Sequence, residues 1–393
     1  MDMTDKIQSN KLLRALWAAF RMKFGKCSWL YAPSKDGVRR SIDFGSMNIR
    51  EETMDVGITY ERKGVIKSIY FKDIEEKSGI GQDIKNIVNE TKSSLEPIPQ
   101  YVFLIKLASF FPLSEYHADN FSVKPISDIE SLLKLTVSGY DEKDARYQML
   151  TNLENIMAIL SIETNCPFWI SKSPASYSKD FNGNNGLYTE DLDWMDGYPY
   201  KNQCITISQK GLAVLNEIAG TYLEISPRVE KFIKSCHQFH LARKQDAQVW
   251  DSNNLRKIKD QCNLEIGIGE DAGQTEIATV LYMSSLESAA SIDQTDKNYC
   301  EKCGQPTYSI ANRVMNFVEE FSDPAFATWV KMGYYSKRSK FLHVGETLTN
   351  MYIGVSIPML DENGEGKCMY AIALVNTREH TSYCLRKLLY DKL

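Results

Sequence analysis

The sequence predicts an α+β N-terminal domain, mainly an antiparallel sheet with helices, followed by an all-α C-terminal domain with a small β-hairpin insertion. Three observations predict it. Between residues 28 and 71, short alternating segments are broken by Gly37, Gly45 and Gly64, the pattern of a meander. Residues 171–203 are rich in Ser, Asn, Gly, Asp and Tyr around Asn182-Gly183-Asn184-Asn185-Gly186, which interrupts the apolar patterning. From Ser226 onward apolar residues recur at helical spacing almost throughout.

Taken in order, residues 11–20 form a basic, amphipathic helix that packs against the rest of the domain. Strands follow at 28–31, 40–44, 56–60 and 65–71. Ile84, Ile87 and Val88 mark a helix over 81–91, ended by Pro97 and Pro99. Residues 101–110, 120–124 and 132–138 read as three more strands. Asp141 can cap a long helix to Ile162, with Leu150, Leu153, Ile156, Met157 and Leu160 on its apolar face. These elements make a domain over 1–170, and residues 171–223 form a linker with a connecting helix from Leu212.

The C-terminal domain spans 224–393. Ser226-Pro227 is an N-cap with proline at the first helical position, and Val229, Phe232, Ile233 and Cys236 face inward behind it. A helix over 274–291 carries Ile277, Val280 and Leu281 as its apolar residues, while Ala278, Ser284, Ser285, Ala289 and Ala290 permit close helix approach. Ile310, Val314, Phe317 and Phe321 are the buried row of the next helix. A fourth starts after Asp323-Pro324. Residues 351–357 and 367–375 flank Asp361-Glu362-Asn363-Gly364 as a hairpin, and a last helix buries Leu385, Leu388 and Leu389.

Composition bounds the function. The chain of 393 residues is 43% hydrophobic and 25% charged, ordinary globular values for two domains. The strongest apolar run, 101–111, is short and interrupted by Lys106, so no membrane partner is expected. Residues 11–20 lack the uninterrupted apolar core of a signal peptide, and nine cysteines then read as reduced thiols of a cytoplasmic protein. A net charge of -5 argues against wholesale coating of nucleic acid but leaves room for a local basic site at Lys331, Lys337, Arg338 and Lys340. Walker A, His-Glu-x-x-His and nucleophile-elbow strings are absent from the sequence.

Chemistry concentrates in Tyr334-Tyr335-Ser336-Lys337-Arg338-Ser339-Lys340-Phe341-Leu342-His343-Val344-Gly345. Phe326, Val330, Tyr334 and Leu342 fall on one row at steps of four, with Arg338 in its gap. An arginine in an apolar stripe needs another element or a partner subunit, because an unpaired buried charge is costly. Gly345 sits where a helix C-cap glycine would, so His343 lies in the last turn, where the dipole favours an imidazolium. Five helical steps separate Arg338 and His343 by roughly 140° around the axis, so a shared face requires the long arginine to reach around. Taken alone, the pair also reads as a structural arginine and a capping histidine.

The ordered combination of Leu286-Glu287-Ser288-Ala289, Cys300-Glu301-Lys302-Cys303-Gly304 and Arg338 to His343 resembles the HEPN superfamily, and within it the Apea-like HEPN proteins of bacteria. The resemblance covers 224–393, with a weaker match at 139–169. It implies that the helical domain is a HEPN bundle and the protein an endoribonuclease that cleaves RNA without a metal, in anti-phage defence or as a toxin. Arg338 and His343 would be catalytic at a composite site of a homodimer. Glu287 would orient Arg338, and Lys337, Ser339 and Lys340 would bind RNA. A phage-derived trigger or regulatory partner would act through the N-terminal domain. The alternative within the same resemblance is a non-catalytic dimerisation or RNA-binding module, with the N-terminal domain as sensor.

Cys300 and Cys303 have the spacing of two corners of a zinc site, a structural zinc half-site that Cys236, His237, His240 and Cys262 could complete only through folding. A metal-free pair and a redox dithiol are the other readings. Glu190, Asp191, Asp193 and Asp196 lack the glycine and terminal glutamate of a calcium loop and read as a solvated acidic loop.

Overall fold

A computed structural model of the chain describes residues 5–25, 32–33, 41–49, 52–61, 64–72, 80–172, 188–189, 197–220, 226–268, 272–292, 310–322, 324–330 and 372–392. The fold is mixed, with antiparallel sheets in the N-terminal half and helices in the C-terminal half. It divides into two compact units. The first takes residues 1–101, 137–149 and 221–224, the second residues 102–136, 150–220 and 225–393.

In the first unit, helix α1 (Lys6–Phe24) starts at Asp5, whose carboxylate accepts the Gln8 N–H at 2.8 Å. A four-stranded antiparallel sheet follows in the order β1 (Ala32–Pro33), β2 (Ser41–Ile49), β3 (Glu52–Tyr60), β4 (Ile66–Lys72). The first strand expected, at 28–31, lies outside the described residues. Leu16 and Phe20 of α1, Met54 and Val56 of β3, and Ile84 and Ile87 of α2 (Ile80–Ser93) form one core. Gly57 is required in β3, since a Cβ there would overlap the Tyr70 ring and the Ile42 carbonyl. The two arginines that make α1 basic are fixed: Arg14 Nε lies 2.9 Å from Asp144 Oδ1, and Arg21 Nε lies 2.6 Å from Asp141 Oδ2. Asp141 also accepts the Asp144 N–H at 2.7 Å, the cap expected at the start of α3 (Glu142–Thr164).

The second unit holds most of a five-stranded sheet ordered β6 (Tyr116–His117), β7 (Phe121–Pro125), β8 (Glu130–Ser138), β5 (Gln100–Ala108), β9 (Trp169–Ile170). The stretch expected as a linker with a connecting helix, 171–223, carries strands of two residues each, β10 (Tyr188–Thr189), β11 (Tyr200–Lys201), β12 (Cys204–Ile205) and β13 (Ile207–Ser208). The helices are α4 (Gln209–Gly220), α5 (Pro227–Trp250), α6 (Ser252–Cys262), α7 (Ala272–Ala289), α8 (Ile310–Phe321), α9 (Pro324–Trp329) and α10 (Ile372–Lys392). Ser226 caps α5 with its hydroxyl 3.2 Å from the Val229 N–H.

Helices α5 and α7 run antiparallel: Lys231 reaches the Ile292 carbonyl, Ser235 meets Ser285, and Gln274 bonds Gln248. Helix α10 packs against α4, α5, α7 and α8. Leu385, Leu388 and Leu389 are buried as expected.

Three expected core residues are exposed instead: Leu150 at 46%, Ile277 at 46% and Ile310 at 37%. The reason is clearest in α7, which buries Thr275, Ala278, Thr279, Tyr282, Met283, Ser285 and Leu286 against its neighbours, leaves Val280 and Leu281 half-buried and turns Ile277 outward. Residues 372–375 belong to α10, not to the second strand of a hairpin. The remainder of that hairpin, 351–357 and 361–371, lies outside the described residues. No described helix is long and apolar enough to cross a membrane.

Candidate functional site

Of the residues to which the resemblance gives a catalytic or RNA-binding role, Glu287 is described. It sits half-buried in the last turn of α7, where its carbonyl accepts the Ser291 hydroxyl at 2.8 Å. Lys337, Arg338, Ser339, Lys340, His343, Cys300 and Cys303 lie outside the described residues, as do Glu190, Asp191, Asp193 and Asp196. Val330, just after α9, is 1% exposed, while Tyr334 and Leu342 of the same row lie outside the described residues. Of the zinc partners offered, Cys236 and Cys262 are buried free thiols, and the two histidines are engaged elsewhere. His237 Nε2 lies 2.8 Å from Asn155 Oδ1, and His240 Nε2 accepts the Phe168 N–H at 3.2 Å. Among the described residues no group of three or more His, Cys, Asp or Glu is arranged to hold a metal.

Sequence reasoning missed a buried ionic cluster built on α5. Arg243 is fully buried. Its Nε donates to the Asn165 carbonyl at 2.8 Å, Nη1 pairs with Asp246, and Nη2 lies 3.4 Å from Asp251 Oδ2. Asp246 also accepts the Tyr282 hydroxyl at 2.5 Å, which ties α5 to α7. From α10, Arg378 donates to Glu379 at 2.6 Å, and Glu379 accepts the Asn165 amide at 2.6 Å. Asn165 holds the left-handed conformation, φ 59°, that brings its carbonyl and its side chain to these two partners. One residue after α3 therefore joins α5 to α10.

The electrostatics follow from burial. Arg243 loses hydration, but Asp246 and its other anionic neighbours outweigh that loss and hold the guanidinium charged. Desolvation pushes the carboxyls of Asp246 and Glu379 upward against the pull of the two arginines. A second buried group lies at the other end of α10. Glu163 accepts the Tyr390 hydroxyl and the Ser208 N–H, the latter at 3.1 Å, beside the charge of Arg386. Burial raises its carboxyl too. Gly211 leaves room for it, since a Cβ there would stand 2.5 Å from the Glu163 carboxyl.

The carboxyls of Asp246, Glu379 and Glu163 are buried, so a polymeric substrate does not reach them. Their chemistry is that of fixing helices. The visible signal was Arg243 and Asp246 at helical spacing; the partners on α10 lie 214 residues from Asn165 and left no local trace.

A third arrangement reaches the surface. Aromatic rings run in series from Trp169 to Phe110 (6.5 Å), Phe110 to Tyr198 (6.1 Å), Tyr198 to Phe111 (5.6 Å) and Phe111 to Tyr200 (4.7 Å). Arg243 backs the buried Phe110 at 5.7 Å, and Lys244 lies 5.8 Å from the centroid of Trp169. Tyr200 is 50% exposed.

Compared with protein-family models, with curated proteins and with solved structures, the chain matches none.

Proposed function

We propose that the protein is a metal-independent endoribonuclease of the HEPN type, acting in anti-phage defence or as a toxin, with its N-terminal region sensing a trigger or restraining the site. The observation that carries the reading is the ordered set Glu287, Cys300 with Cys303, and Arg338 with His343 in a region, 224–393, whose described elements are helices. Cleavage without a metal needs a base for the ribose 2'-OH, an acid for the leaving 5' oxygen and a cation for the phosphorane. One chain supplies half of this. A two-fold dimer doubles it, so that His343 of one chain takes the proton while His343 of the partner subunit returns one. The Arg338 forks grip the phosphate, and Glu287 orients them. Lys337, Ser339 and Lys340 hold the flanking RNA, and Cys300 with Cys303 serve structure.

A non-catalytic module is the second reading. What favours it is that the buried ionic groups among the described residues, Arg243 with Asp246 and Arg378 with Glu379, brace helices and reach no substrate. The experiment that separates the two is total RNA incubated with wild type and with His343→Ala, followed by mapping of the new ends. Ends made by wild type alone support the nuclease.

A further inference from the structure

We infer that the cleft between the end of α7, helix α8 and the end of α10 is a binding site for a small monocarboxylate with a compact apolar body. The inference does not depend on the ribonuclease reading. The cleft has a volume of about 280 Å³, at the lower edge of the usual ligand range, so it admits a small molecule and no polymer. From α8 it takes Arg313, Asn316, Phe317, Glu320 and Phe321, one stripe at helical spacing along most of that helix. The floor is apolar: Phe317 is 8% exposed, Leu388 2% and Ala289 3%. Ala289 and Ala290, at the end of α7, leave open the space that larger side chains would fill.

The two ends of the cleft differ. Toward the C-terminus of α8, Glu320 pairs with Lys392, and the same ammonium lies 5.1 Å from the centroid of the Phe321 ring. This ion pair bounds the cleft at that end. Arg313 stands seven residues back, about 10 Å along the helix axis, with Asn316 one turn from it on the same face. A guanidinium fork and an amide N–H match the two oxygens of a carboxylate. The described lining holds two cations, Arg313 and Lys392, against one carboxylate, Glu320, and this single net positive charge suits a monoanion better than a dianion such as phosphate. A ligand with its acid group at Arg313 lays its apolar body over Phe317 and Leu388, and the Glu320–Lys392 pair limits its length to about 10 Å.

The test is calorimetric titration of the full chain with hydrocinnamate, beside its neutral amide, the cationic phenylpropylamine and inorganic phosphate. The acid should bind, the amide and the amine should bind roughly tenfold more weakly or worse, the scale of a lost charge-assisted hydrogen bond, and phosphate should not displace the acid. Arg313→Gln should cost the acid a similar factor, and Arg313→Lys should recover part of it, since a point charge replaces the fork. Ala290→Leu should abolish binding by filling the cleft. Asn316 is exposed, so Asn316→Ala should keep the wild-type melting temperature while weakening the acid several-fold. No binding of the acid by wild type, equal affinity for acid and amide, displacement by phosphate, or affinity unmoved by both Arg313→Gln and Asn316→Ala would overturn the proposal.

Discussion

Ser235 and Ser285 exchange hydrogen bonds across the α5–α7 pair, each hydroxyl donating to the other residue's carbonyl, at 2.7 and 2.8 Å. Only small side chains allow two helix backbones to be bridged this way. Filling the seam with Ser285→Leu should force the helices apart and cost about 1–3 kcal/mol, the usual penalty of overpacking. Urea unfolding with a lowered midpoint and an unchanged slope is the expected readout.

The buried arginine makes a different demand. Arg243→Ala strands Asp246 without its cation and should destabilise by about 3–5 kcal/mol, whereas replacing both partners, Arg243→Met with Asp246→Leu, should recover much of that loss. A double variant no better than the single would show that the Asn165 carbonyl, left without its donor, dominates.

Acid should act on the two units with opposite sign. Burial raises the Glu163 carboxyl, so the folded chain binds that proton more tightly than the unfolded one. Its contribution is greatest in acid and is lost as pH rises through its ordinary range to the raised folded value. Asp141 behaves in reverse. Desolvation opposes its charge, but Arg21 and the Asp144 N–H prevail and lower its pKa, so its stabilisation is present above the ordinary aspartate range and fades as pH falls. Unfolding measured from pH 7 to 4 should show Glu163→Gln removing the acid-side gain and Asp141→Asn removing the neutral-side one.

Cys300 and Cys303 are expected to support the fold. Changing both to serine should lower the melting temperature and leave turnover per folded molecule close to wild type. Lost turnover at unchanged melting temperature would assign them a direct part in the chemistry.

The fold was legible where a local rule sufficed. The amphipathic helix over 11–20 is packed, with Leu12, Leu16 and Phe20 buried, Asp141 and Ser226 cap the helices they precede, and the small residues of α7 do mark a close helix pair. It was illegible where burial depends on a distant partner. Ile277 points outward because α5 offers α7 the Ser235 hydroxyl and the Asp246 carboxylate, and those favour Ser285 and Tyr282 on the inner face. Residues 372–375 read as strand from their apolar run, but the helix they begin is set by packing on α4, α5, α7 and α8. Of the candidate site, the Arg338–His343 string could be read from sequence alone, while the Arg243–Asp246–Tyr282 cluster needed three dimensions.

The central claim is tested most directly by purified full-length protein, RNA and a chelator. Wild type should cut RNA to products with 2',3'-cyclic phosphate and 5'-hydroxyl ends, leave DNA intact for want of the 2'-OH, and be indifferent to the chelator. His343→Ala and Arg338→Ala should each lose about 10²–10⁴-fold, and Arg338→Lys should not recover fully, since a point charge cannot reproduce the fork. Cleavage that persists in both alanine variants, or that requires added magnesium, would contradict the account.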